Sequence, residues 1–229
     1  MNTTVISAMI FGIIQINVHT TLSNDAHASD LKMINDDVVL DTSSNIEWSK
    51  DANLAKTLCD SQHILWQSFD PTSVDKGTGR SASSICEQGG KMNWYEAKAW
   101  VSHLNAQRFL GYSDWRMPQV AQHDSTCSMQ ISLPSANNAI GLGQGCLNSE
   151  ISHLLHDTLN NPLKQHGSCT DNCLSDTGPF HNISQDMYWS DTEVAGDTSL
   201  VGVFSVESDW QDAEDKTSDL LHVWPVRKL

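Results

Sequence analysis

Apolar positions along the chain follow three regimes in turn. Near the start, Val38-Val39-Leu40 and Ile46-Glu47-Trp48 flank the turn-forming Asp41-Thr42-Ser43-Ser44-Asn45, which predicts an amino-terminal hairpin. In the middle, Ala97, Trp100, Val101 and Leu104 recur at i, i+3, i+4 and i+7, behind Asn93 as a cap and Glu96 three residues later. That spacing predicts a helix with one face in a core. Ile151, Leu154, Leu155 and Thr158 share a face in the same way and predict a helix over Ser149–Leu159. Pro118, whose fixed φ and missing N–H suit a first helical turn, predicts a short helix between these two. After Gly178-Pro179 the chain changes to short runs rich in β-branched and aromatic residues. Met187-Tyr188-Trp189, Leu200–Val206 and Leu220–Val226 are therefore predicted strands.

Two intervals lack such patterns. Phe69–Gly90 is rich in Ser, Thr and Gly and reads as a loop, and Cys127–Cys146, with Gly141, Gly143 and Gly145, reads as another. The order of hairpin, helices and carboxy-terminal antiparallel sheet gives an α+β fold with both chain ends in the sheet. Without a Pro-rich linker, long charge run or internal repeat, residues 29–229 are expected to form a single domain.

The first residues bear on compartment. Val5–Val18 is an apolar run, and a polar stretch after it ends in Ala26-His27-Ala28. This is the outline of a signal peptide over residues 1–28, cut after Ala28 because the peptidase pocket takes small side chains. No Lys or Arg precedes the run, and Gln15 and Asn17 interrupt it short of the ~20 apolar residues that span a bilayer. The mature chain is thus expected to be secreted, periplasmic or displayed on the cell surface, without a transmembrane segment. Six cysteines, Cys59, Cys86, Cys127, Cys146, Cys169 and Cys173, are an even set for an oxidising compartment. About fifteen connectivities are open. Sequential pairing, Cys59 with Cys86, Cys127 with Cys146 and Cys169 with Cys173, is the expected one.

Charge removes one class of partner. A formal net charge of −15, with Lys and Arg scattered among twice as many acids, argues against nucleic acid, which needs clustered cations.

Several local strings carry a resemblance: Asn45-Ile46-Glu47-Trp48, Asn93-Trp94-Tyr95-Glu96-Ala97, Gly111-Tyr112-Ser113-Asp114-Trp115-Arg116-Met117-Pro118, Gly178-Pro179-Phe180, Tyr188-Trp189-Ser190 and Val223-Trp224-Pro225-Val226-Arg227. In order and spacing, from about Asp36 to Arg227, they resemble the domain named after the carboxy-terminal region of the Legionella collagen-like adhesin. The resemblance implies a C-type-lectin-like or formylglycine-generating-like architecture. It also implies structural roles for Trp48, Trp94, Trp115, Arg116, Pro118, Tyr188, Trp189, Ser190 and Arg227. Relatives usually follow the proline with Thr and an acidic residue, whereas this chain has Gln119-Val120-Ala121-Gln122.

Candidate chemistry is sparse. Ser190 and His222 are present, but no G-x-S-x-G nucleophile elbow exists, and no reactive cysteine pair is left over for oxidase chemistry. Catalysis is therefore not expected. Arg116 is expected to stack on an aromatic ring and tie loop carbonyls together. His166, Cys169, Cys173 and His181 have spacings that could surround Zn²⁺, although a short-loop disulfide explains the two thiols more simply. Asp209, Asp212, Glu214 and Asp215 are candidate Ca²⁺ ligands in what otherwise reads as a solvated acidic loop. Trp210 between Asp209 and Gln211 is the candidate sugar platform, an indole face for pyranose C–H groups with polar neighbours for hydroxyls. Asp191 and Glu193 are further candidate ligand contacts. The expected function is recognition of a glycan or of an extracellular or envelope protein in adhesion-like work. A scaffold domain without a small ligand is the alternative, and an exported hydrolase a distant third.

Overall fold

The computed structural model describes residues 30–73, 80–132, 139–163, 174–217 and 220–229. The expected signal peptide and the expected Cys169–Cys173 pair, with His166, lie outside them. Among the described residues the α+β class holds, with every strand pair antiparallel. The hairpin is present as β2 (Val38–Asp41) and β3 (Ile46–Ser49), preceded by β1 (Leu31–Met33). The last strand of the chain, Val226–Lys228, pairs with β3 and completes a sheet in which the two ends of the domain meet.

The long helix runs over Trp94–Ala106, and its start is the reciprocal cap that Asn93 and Glu96 promise. Asn93 Oδ1 accepts the Glu96 N–H at 2.9 Å, and Glu96 Oε2 accepts the Asn93 N–H at 2.9 Å. The helix buries Ala97, Trp100, Val101 and Leu104. Trp100 meets Trp66 and Phe69 at centroid distances of 5.3 and 5.1 Å. Full burial of an aliphatic such as Leu104 contributes about 1.5–3 kcal/mol.

A central sheet divides the interior in two. Its strands are Met187–Val194, Asp197–Ser205 and Trp210–Asp215, in that order. Alternation along the middle strand sends Val201 and Val203 into the helical core with Trp66, Trp100 and Trp189. Phe204 and Val206 join the second core, with Tyr188, Trp48 and Trp224. Gly202 lies between, where an added Cβ would come within 2.2 Å of Val120 Cγ2.

Five expectations are corrected. Pro118 starts no helix: its carbonyl accepts the Asp191 N–H at 2.7 Å and the Gln119 carbonyl accepts the Glu150 N–H at 3.0 Å, so neither is left to close a helical turn. The interval Phe69–Gly90 contains a helix, Ala82–Glu87, capped by the Ser81 hydroxyl, buried at Ile85 and tied by Cys86 to Cys59. Cys59 itself sits on another helix that sequence reading did not anticipate, Leu54–Asp60. Cys127–Cys146 is a disulfide, but it brackets a hairpin of Met129–Ser132 and Ala139–Leu142 rather than a plain loop. Gly141 is required there, because a Cβ would fall 2.7 Å from Cys127 Sγ. Leu220–Val226 makes isolated bridges through Leu221, His222 and Val226 instead of one strand, since Pro225 interrupts it. Finally, the acidic stretch forms the third strand of the central sheet, with Asp212 opposite Val203 and Glu214 opposite Val201.

The helix expected over Ser149–Leu159 is present with a wider turn than expected. Its first residues, Glu150–Ser152, are α-helical, and His153–Thr158 is π-helical. This element carries one wall of the site.

Candidate functional site

The motif residues are mostly interior. Trp48, Trp189, Tyr188 and Trp224 are fully buried, Ser190 and Trp115 nearly so. The Trp115 indole donates to the Phe109 carbonyl at 3.1 Å, and its backbone is clasped at both ends by the Asn105 amide. The Trp94 indole donates to the Ser190 carbonyl at 3.0 Å, beneath the Lys216 ammonium at 4.4 Å from its centroid. Pro118 offers its carbonyl to the Asp191 N–H at 2.7 Å.

The two motif arginines divide the work expected of one. Arg227 stacks over Tyr112 at 4.1 Å, donates to Asp114 at 2.8 and 3.0 Å and also binds Glu47. Hydrogen bonds from Arg227 hold the Asp114 carboxyl below the usual range. Among the described residues Arg116 makes no aromatic stack. Its backbone pairs with Val226, and its guanidinium forms a two-pronged bond to Glu150 at 2.7 and 2.8 Å while donating to the Met117 carbonyl at 3.0 Å.

Glu150 leads to an open cleft of about 220 Å³, lined by Ser43, Ser44, Leu147, Asn148, Glu150 and His153. Each polar side chain in this lining is held by a second residue. The fully buried Asp41 accepts from the Ser43 hydroxyl at 2.6 Å and the Ser44 hydroxyl at 2.8 Å, with Thr158 adding a third hydroxyl at 3.1 Å. Asp124, also fully buried, accepts the Asn148 side-chain amide at 2.7 Å. Burial pushes the Asp124 pKa up, but donors from Thr126 and Asn148 outweigh it and hold the carboxylate below its ordinary value. Arg116 fixes Glu150, and Asp157 Oδ2 lies 2.9 Å from His153 Nδ1. The cleft thus presents hydroxyls, an amide, a carboxylate and an imidazole in fixed positions.

The chain matches the family model of the Lcl C-terminal domain over residues 37–227. It belongs to that family. No curated protein matches the chain, and no solved structure does. In this Lcl C-terminal domain the family strings build the frame, and the cleft opens between segments outside most of them.

The residues expected to bind ligand are dispersed. Asp209 is buried against His156, with Oδ1 2.6 Å from Nε2. Gln211 is buried and donates to the Gly141 and Ala121 carbonyls while accepting from Ser149. Trp210 is partly exposed at the start of its strand. Asp191 pairs with Lys98 at 2.6 Å, and Glu193 with Lys216. Strand alternation puts Asp212 and Glu214 on one side of the sheet and Asp215 on the other, so these acids and Asp209 do not gather around one point. In a second cleft, near Lys56, Asp60 and Asn182, Lys56 pairs with Asp60, and Thr57 and Asn182 donate to Asp51.

Sequence reading missed the cleft because its residues come from two segments about 100 residues apart and are ordinary surface types. The one signal was Asp41-Thr42-Ser43-Ser44, where an acid precedes two serines within a single turn.

Proposed function

We propose that this Lcl C-terminal domain is an exported, adhesion-related recognition module and that the cleft between Ser43 and His153 takes a glycan. The observation that carries the reading is the anchoring of every polar lining group from behind by Asp41, Asp124, Arg116 or Asp157. Sugar hydroxyls both donate and accept, and a lining of hydroxyl, amide, carboxylate and imidazole answers both. Fixing those groups before binding removes the side-chain ordering cost that weakens polar recognition, about 0.5–1.5 kcal/mol for each immobilised side chain. A polar loop of a partner protein would meet the same donors and acceptors.

Family membership supports an adhesion-related role. Two disulfides suit an oxidising exterior, and no described helix is long and apolar enough to cross a membrane. Residues 29–229 on a glycan array, with calcium and with a chelator, test the proposal. The expected result is selective binding to a subset of neutral glycans that survives chelation, since the candidate acids do not converge. Absence of binding under both conditions would remove the glycan reading and leave a protein partner.

A further inference from the structure

We propose that Ser43 is an activated nucleophile and that the cleft hydrolyses short-chain acyl esters. The hydroxyl and its partners come from segments 110 residues apart, in a spacing no linear motif records. Ser43 Oγ lies 2.9 Å from His153 Nε2, and His153 Nδ1 lies 2.9 Å from Asp157 Oδ2. With Nδ1–H donated to Asp157, a neutral ring turns its Nε2 lone pair to Ser43, the arrangement of a general base held by a positioning carboxylate. Asp157 stands four residues after His153 on the π-helical turn, so both groups lie on one side of it.

Asp41 competes for the Ser43 proton at 2.6 Å. Its carboxylate keeps three other donors, the Ser43 N–H at 3.0 Å, the Ser44 hydroxyl at 2.8 Å and the Thr158 hydroxyl at 3.1 Å. Turning the Ser43 hydroxyl toward His153 therefore leaves Asp41 satisfied. Asn148 lines the same cleft, and with one amide proton on Asp124 the other can face a developing oxyanion.

The step balances without an oxidant or a metal. Ser43 Oγ bonds to the ester carbonyl carbon and passes its proton to His153 Nε2. The carbon–alkoxide bond then breaks, and the departing alcohol takes that proton. Water attacks the acyl-serine and gives a proton to Nε2, the Oγ–carbon bond breaks, and Ser43 recovers the proton. One ester and one water become one acid and one alcohol. That the alcohol is a saccharide rests on the glycan reading above; the nucleophile does not.

Residues 29–229 would be treated with a fluorophosphonate probe and, separately, with p-nitrophenyl acetate. We expect one adduct, on Ser43, and hydrolysis reduced at least about 100-fold by Ser43→Ala and by His153→Ala. Asp157→Asn should slow the reaction and move its pH–rate profile, with Asp157→Glu restoring both. Asp41 keeps the residue-43 N–H and the Ser44 and Thr158 hydroxyls, so Ser43→Ala should stay folded with a melting temperature close to the parent's. If it does not, the adduct on the unaltered protein decides alone. Absence of the Ser43 adduct, or hydrolysis unchanged in a folded Ser43→Ala protein, overturns the proposal. An adduct without glycan binding would remove the glycan reading and leave the nucleophile standing; binding without an adduct would do the reverse.

Discussion

Arg116 and Glu150, 34 residues apart, are joined by two parallel hydrogen bonds of 2.7 and 2.8 Å with both side chains mostly buried. The pair links the strand-like segment beside Val226 to the start of the helix that walls the cleft. It turns a motif arginine into the support of a candidate ligand contact.

Arg116→Ala would leave Glu150 without its guanidinium and the Met117 carbonyl without a donor, so a loss of about 2 kcal/mol is expected from a charge-assisted bond. Arg116→Lys should recover little, since an ammonium cannot reproduce the planar fork. Urea unfolding of both variants, beside Glu150→Gln and the double variant, measures the coupling.

Legibility followed the scale at which each element is encoded. The Trp94–Ala106 helix was legible because its cap and apolar stripe lie within thirteen residues. Leu54–Asp60 and Ala82–Glu87 were not, since each is under two turns and is stabilised by the Cys59–Cys86 link and by tertiary packing. Trp210–Asp215 reads as a solvated loop because four of its six residues are polar or acidic, yet backbone pairing to the middle strand makes it a strand. The frame of the site, Trp115, Arg116 and Arg227, was visible as motif. The cleft was not, because Ser43 and His153 meet only in three dimensions.

Gly202 occupies the centre of the middle strand against Val120. Gly202→Ala should cost about 1–3 kcal/mol, because a Cβ there would come within 2.2 Å of the buried Val120, a β-branched side chain stiff at χ1. Thermal melts should show Val120→Ala restoring part of the loss in the double variant.

Two buried histidines should respond to pH in opposite senses. Burial, aided by the Lys91 charge and opposed by Asp186, pushes His222 down to about 4. Its contribution is complete above the unfolded value near 6.5 and is lost as pH falls toward 4, by up to about 3 kcal/mol. For His156, burial pulls the pKa down, but the Asp209 hydrogen bond and charge prevail and raise it. Its contribution is therefore complete below about 6.5 and is lost as pH rises through the folded value. Urea unfolding between pH 4.5 and 9 should find His222→Gln flattening the acid limb and His156→Gln costing more at pH 6 than at pH 9.

Recognition at the Ser43–His153 cleft is tested most directly by comparing Asn148→Ala with the parent protein on the same glycan array, with melting temperatures recorded for both. Asn148 is exposed, and its side chain reaches the cleft from a loop outside the two cores. The expected result is a folded protein, its melt lowered by no more than the lost Asn148–Asp124 hydrogen bond, about 1–3 kcal/mol, and at least about tenfold weaker binding to every glycan the parent retains, about 1.4 kcal/mol of lost contact. Equal binding by the two proteins would contradict placement of the recognition site in this cleft.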